Sequence, residues 1–111
     1  MPNKYTVKIT TQAENHMREA VRYIADELKA PEAALHLIDE LEAATSSLSK
    51  FPHRIALVDE EPWRSQGIRK LLVKNFFAYF WIDEEKAEVH VTAVVYGRRD
   101  QLKQLAHMQM E

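Results

Sequence analysis

The sequence predicts an α+β fold: an N-terminal strand, then an antiparallel helical hairpin packed on a mainly antiparallel sheet. A three-strand meander completes that sheet, and a short C-terminal helix follows. Three observations carry this reading. Between residues 11 and 48, apolar side chains recur at helical spacing in two successive segments. From 68 to 96, three runs rich in β-branched and aromatic residues follow one another, separated by turn residues. Helices gathered before the strands favour a segregated α+β arrangement over a doubly wound sheet.

Residues 4–10 alternate Tyr5, Val7 and Ile9 against Lys4, Thr6 and Lys8, the pattern of a strand with one buried face. Its neighbour in the sheet is not specified by the pattern. Thr11, with Glu14 three residues on, reads as a capping box that starts the first helix. Ala13, Met17, Ala20, Val21, Ile24 and Leu28 form its buried stripe. Lys29-Ala30-Pro31 breaks the pattern, and Pro31 suits the first turn of a second helix. That helix buries Ala34, Leu37, Ile38, Leu41, Ala44 and Leu48, with the Thr45 hydroxyl free to bond back one turn. Phe51-Pro52 ends it, because a residue before proline avoids the helical region.

The segment 53–67 is read as a loop containing a possible short strand at Ile55–Ala56–Leu57–Val58. Its Trp63 either covers the edge of the core or belongs to a binding surface. The meander consists of residues 68–73, 76–82 and 88–96. Lys74-Asn75 makes the first turn, with Asn75 suited to a left-handed conformation, and residues 83–86 make the second. Phe76 to Ile82 is apolar or aromatic throughout, which places this strand centrally with both faces covered. Leu102, Leu105 and Ala106 recur at helical spacing after the sheet.

At 111 residues the chain has room for one core, so residues 1–111 are read as a single domain. Without cysteine there is no disulfide framework, thiolate metal site or cysteine nucleophile. The lack of cysteine, of an apolar signal-peptide core and of any apolar run near membrane-spanning length leads us to expect a cytoplasmic protein without a membrane partner. The net charge of −2 conceals a division. Residues 11–49 carry eight acids against Arg18, Arg22 and Lys29, whereas residues 62–82 carry Arg64, Arg69, Lys70 and Lys74 and no acid. Arg98, Arg99 and Lys103 form a further basic group.

Phosphate-loop, nucleophile-elbow and zinc-protease motifs are all missing, and the five histidines share no metal-ligand spacing. The acidic runs, including Asp83-Glu84-Glu85, read as solvated surface, so neither a metal nor a cofactor is expected. What remains is cationic. Alternation puts Ile68, Lys70 and Leu72 on one face of their strand and Arg69, Leu71 and Val73 on the other. If the helices cover Leu71 and Val73, Lys70 stands on the open face, with Lys74 in the same phase. In the last strand the same rule sets Val89, Val91, Ala93 and Val95 together, leaving His90, Thr92 and Tyr96 opposite. His90 and Thr92 would then floor an open surface with Arg98 or Arg99 at its end, a site for phosphate contacts.

Gly67-Ile68-Arg69, an aromatic strand ending at Asp83, and Val94-Val95-Tyr96-Gly97-Arg98-Arg99-Asp100 together resemble the RelE/ParE superfamily of bacterial type II toxin–antitoxin toxins. The upstream strand and helical hairpin complete the family's order, and the resemblance runs from about Tyr5 to Leu105. It implies a toxin, active in growth inhibition and plasmid stabilization, whose partner is an antitoxin encoded by an adjacent gene. The ribonuclease branch cleaves messenger RNA on the ribosome without a metal, through basic residues on the sheet and an acid/base near the C-terminus. Lys70 and Arg99 match its basic positions, and His107 lies near the acid/base position. Arg69, Lys74 and Arg98 would contact RNA. Phe77 and Leu105 depart from that branch, which often has arginine and tyrosine there. These departures motivate the alternative of the ParE branch, which inhibits DNA gyrase by binding. A third reading is an inactive, partner-binding relic.

Overall fold

The computed structural model describes residues 4–97. The predicted C-terminal helix, with Arg98, Arg99 and His107, lies outside the described residues. The elements are β1 (Thr6–Ile9), α1 (Thr11–Arg22), α2 (Pro31–Ser47), β2 (Arg69–Val73), β3 (Phe76–Asp83) and β4 (Glu88–Tyr96). A π-helical turn, Tyr23–Glu27, extends α1, and a single 3₁₀ turn, Pro52–Arg54, follows α2.

The four strands form one sheet in the order β1-β4-β3-β2. The meander pairs antiparallel as expected, and β1 joins its far side parallel to β4, with Thr6 opposite Glu88 and Ile9 opposite Val91. Both long apolar strands therefore lie inside the sheet. The core between helices and sheet contains Ala13, Leu37, Leu41, Leu48, Val73, Ala78, Phe80, Val89, Val91 and Val94. A smaller cluster, Val58, Ile68, Tyr79, Ala93 and Val95, occupies the opposite face. Burial on both faces explains why β3 is apolar at every position.

Helix α1 starts one residue differently from the reading above. Thr10, not Thr11, is the N-cap: its hydroxyl accepts the Ala13 N–H at 3.1 Å. Thr10 is nearly buried and is fixed to the sheet through its own N–H, which donates to Val91 at 3.0 Å. The cap therefore also sets the angle at which β1 feeds the helix. In the π turn, Leu28 N–H donates to the Tyr23 carbonyl five residues back. The widened turn rotates the stripe, so Leu28, expected in the core, is 57% exposed. Lys29 then takes a left-handed conformation, and Pro31 opens α2 as predicted. The Thr45 hydroxyl donates back to the Leu41 carbonyl at 2.8 Å, which satisfies it inside the core.

The segment 55–58 makes only an isolated bridge, Leu57 to Arg69, rather than a strand. The Val58 N–H donates to the Ile68 carbonyl at 2.9 Å, and Trp63 packs on the smaller cluster. Of its two anticipated roles, Trp63 thus fills the packing one. At the first hairpin Lys74, not Asn75, has positive φ, and the Asn75 carbonyl instead accepts the Gly97 N–H at 2.7 Å.

The largest departure is in β4. Tyr79 pairs with Ala93 and Phe80 with Val91, so Thr92 is an extra residue, a β-bulge. One inserted residue reverses which side chains face which way. Val89 and Val91 face the helices, but Ala93 and Val95 pack with the opposite cluster, and Val94 returns to the helix side. The expected single face of Val89, Val91, Ala93 and Val95 is therefore broken in two.

Candidate functional site

Alternation along β2 places Leu71 and Val73 against the helices, so Lys70 does stand on the opposite face. There its Nζ lies 4.5 Å from the centroid of the Phe77 ring, within cation–π range. Phe77, Trp63 and Trp81 pack around the smaller cluster, with Leu72 62% exposed beside Lys70. This face is thus an aromatic and apolar surface carrying a cation. Tyr79, at its centre, is 1% exposed, and burial, with a further push from Glu60, raises its phenol to about 12. It is a packing group that stays protonated.

The expected polar floor is corrected by the bulge. Thr92 is fully buried, its hydroxyl donating to the Tyr79 carbonyl at 3.4 Å while its own carbonyl accepts from Thr10. Tyr96 is carried to the helix side, where it meets Phe76 edge-on at 5.4 Å. His90 alone of the three remains on the open face, stacked on Trp81 at 4.6 Å and 14°. Its Nε2 lies 3.2 Å from Glu88 Oε1, and Asp83 is close by. Glu88 also pairs with Lys8 at 2.9 Å, and Lys8, then His90 and Lys86, hold its carboxyl below the usual range. The sequence signal for this cluster was Glu88-x-His90, two residues apart on one strand face, with Asp83 directly opposite Glu88 across the hairpin.

Arg69 points the other way from Lys70. Its guanidinium donates to the carbonyls of Ile55 at 2.5 Å and His53 at 3.3 Å, fastening the segment after α2 to β2. Nearby, Glu84 accepts from Tyr5 at 3.0 Å and pairs with His53. The His53 contact, with smaller help from Tyr5 and Arg69, lowers the Glu84 carboxyl. Lys74 sits exposed at the tip of the β2–β3 turn.

On the helix side a groove of about 630 Å³ opens between α1 with its π turn and the ends of β3 and β4. Ile24, Leu28, Phe76 and Tyr96 give it an apolar wall, and Glu19, Tyr23 and His16 a polar rim. His16 Nδ1 accepts the Val94 N–H at 3.1 Å, which leaves Nε2 as the protonated nitrogen of the neutral ring. Partial burial lowers the His16 pKa, with Glu19 opposing. Sequence reading did not single out this groove, because the bulge and the π turn together create it. Among the described residues, no helix is long and apolar enough to cross a membrane.

Comparison with known proteins places this geometry. No curated protein sequence matches the chain significantly. The fold is similar to that in the chromosomal ParDE toxin–antitoxin system from P. aeruginosa, with a TM-score of 0.69 and 19% identity over 86% of this chain and 98% of that one. It is also similar to that in the RelBE2 toxin–antitoxin complex from Mycobacterium tuberculosis, with a TM-score of 0.59 and 21% identity over 84% and 98%. The model of the ParE toxin of the type II toxin–antitoxin system parDE matches residues 7–101, from β1 through the whole meander, and the chain belongs to that family.

Proposed function

We propose that this toxin arrests growth by binding DNA gyrase through the open sheet face, and that it does not cut RNA. The observation that carries the reading is the seat of Lys70. Its ammonium lies over Phe77 on a face that also carries Trp81 and Leu72. Apolar and aromatic surface bearing a cation suits a protein partner, whose anchoring contacts are typically aromatic and charged side chains. The ParE family match supports the same direction.

Its partner in the cell is an antitoxin encoded by the adjacent gene. The groove beside α1 supports this: its apolar wall of Ile24, Leu28 and Phe76 would accept one face of an amphipathic helix. Leu35, 61% exposed on α2, offers further apolar area.

The test sets two assays side by side with purified protein: supercoiling by gyrase, and translation of a defined message on ribosomes. Inhibited supercoiling with intact message is the expected result. A cleaved message with normal supercoiling would overturn it in favour of RNA cleavage by Lys70, Arg99 and His107, with Lys74 and Arg98 on the RNA and Arg69 holding the segment after α2. Silence in both assays, with normal growth on expression, would leave a partner-binding relic. Copurification with the neighbouring gene product tests the antitoxin separately.

A further inference from the structure

We propose that Asp83, Glu88 and His90 form a binding site for a single divalent transition-metal ion of the zinc class. The three are drawn from both strands of the β3–β4 hairpin at its closed end, where Asp83 and Glu88 are cross-strand partners. One donor atom from each lies within 4.8 Å of the other two. Glu88 Oε1 and His90 Nε2 are already 3.2 Å apart. Bonds of about 2.0–2.2 Å in a tetrahedral site hold donors roughly 3.3–3.6 Å apart, so the set closes with about 1 Å of side-chain movement.

The site is also built rather than merely acidic. The side chains of Glu88 and His90 are each only 16% exposed. The His90 ring is held flat against Trp81, which fixes the direction of Nε2 before any ion arrives. Glu88 divides its oxygens, Oε2 to Lys8 and Oε1 toward His90, so Lys8 orients the carboxylate from behind without occupying the donor that faces the site. Asp83 accepts the Lys86 N–H at 3.2 Å, which restrains the third donor. An imidazole with two carboxylates favours a borderline ion such as Zn²⁺, Co²⁺ or Ni²⁺ over Mg²⁺ or Ca²⁺, which prefer oxygen alone. Three protein donors leave a fourth position open to water or to a group from a partner.

Trp81 is a reporter for this site because it stacks on the proposed ligand. The full chain is titrated with Zn²⁺ alone by calorimetry, and with Co²⁺ while tryptophan fluorescence and the visible absorption are followed. The expected result is one ion per chain, Co²⁺ quenching of fluorescence, and a rise in melting temperature with added Zn²⁺. His90→Gln and Asp83→Asn, each checked for unchanged circular dichroism, should weaken binding by about 100-fold or more, since losing even a residue that orients a ligand costs about 10- to 100-fold. His36→Gln, exposed on α2, should change nothing. No saturation by about 1 mM ion, or equal affinity in His90→Gln, would overturn the proposal.

Discussion

His16 and Val94 are joined by a single hydrogen bond across the groove: the ring Nδ1 accepts the backbone N–H at 3.1 Å, two residues beyond the bulge. The bond ties α1 to β4 where the ladder has just changed phase, and it requires a neutral ring. Partial burial lowers the His16 pKa, so the folded state prefers the unprotonated form that makes the bond. The unfolded chain then binds more protons as pH drops. The stability this bond contributes is complete above the unfolded histidine value of about 6.5 and is lost progressively as pH falls below it toward the folded value. Glu19 acts against the shift, and Tyr23 and Tyr96 also line the groove. Urea midpoints between pH 8 and 5 should fall more steeply for the parent than for His16→Gln. At pH 8, His16→Ala should cost about 1–3 kcal/mol, the penalty for leaving a buried donor unmade. Equal pH slopes in both proteins would show that His16 does not link protons to folding.

Lys70→Ala separates function from fold. Its contact with Phe77 is half-exposed, worth about 0.5–1 kcal/mol, so the variant should melt within a few degrees of the parent. Growth arrest on expression should nevertheless be relieved, because the cation seated on Phe77 at the edge of the open face is gone. A variant that melts alike and arrests growth equally would move the target-binding surface elsewhere, with the α1–α2 hairpin next in line.

Deleting Thr92 should cost more than substituting it and still leave a folded protein. Thr92→Val keeps the shape and removes the hydroxyl that donates to the Tyr79 carbonyl, at a cost of about 1 kcal/mol. Deletion would remove the extra residue and leave Ala93 opposite Tyr79 and Val91 opposite Phe80 in an unbroken ladder, so Ala93, Val94 and Val95 would keep their present faces. The predicted outcome is a folded protein destabilised by loss of the Thr92 carbonyl that accepts from Thr10, measured by soluble yield, circular dichroism and urea denaturation. An insoluble or unfolded deletion variant would mean that the local bend of the bulge is itself needed to seat α1 on the sheet.

At Gly97 the limit is space. A Cβ there would meet Phe77 Cε2 at 3.0 Å and the Asn75 carbonyl at 3.1 Å. The ring can turn, but the carbonyl belongs to the hairpin backbone and accepts the Gly97 N–H itself. Gly97→Ala should therefore destabilise by about 1–3 kcal/mol, as other overpacking changes do. Chemical denaturation gives the value directly, and a loss below about 0.5 kcal/mol would mean that the turn shifts freely.

The meander was legible because each strand is a run of β-branched and aromatic residues between polar turns, and the observed ends of β2, β3 and β4 lie within one residue of the expected ones. The side on which Lys70 stands followed from the same alternation. The bulge was not legible. Residues buried on both faces carry no period, so Val91 to Val95 reads equally well in either phase. Leu28 was misplaced for a related reason: a π turn adds a residue to a helix without any change in composition. The cap was misassigned because Thr10 and Thr11 are chemically equivalent, and the bonds from Thr10 to the Val91 and Thr92 carbonyls select between them. Asp83 was read as solvated charge and His90 as part of a phosphate-binding floor, and their cluster with Glu88 was missed because Asp83 joins it only through cross-strand pairing. The aromatic seat of Lys70 was missed because Phe77 was weighed only as a departure from a ribonuclease pattern.

The parallel pairing of β1 with β4 also bears on how the toxin is made. Thr6 waits for Glu88, its partner 82 positions later, and α1 packs on that same last strand. At about 5–20 residues per second on the ribosome, some 4–16 seconds separate the synthesis of the two. A product that stops before β4 lacks the strand flanked by both β1 and β3, and has no sheet against which α1 can settle. Stalled or truncated translation therefore yields harmless, protease-sensitive chains. Toxicity is reserved for a chain synthesised through β4.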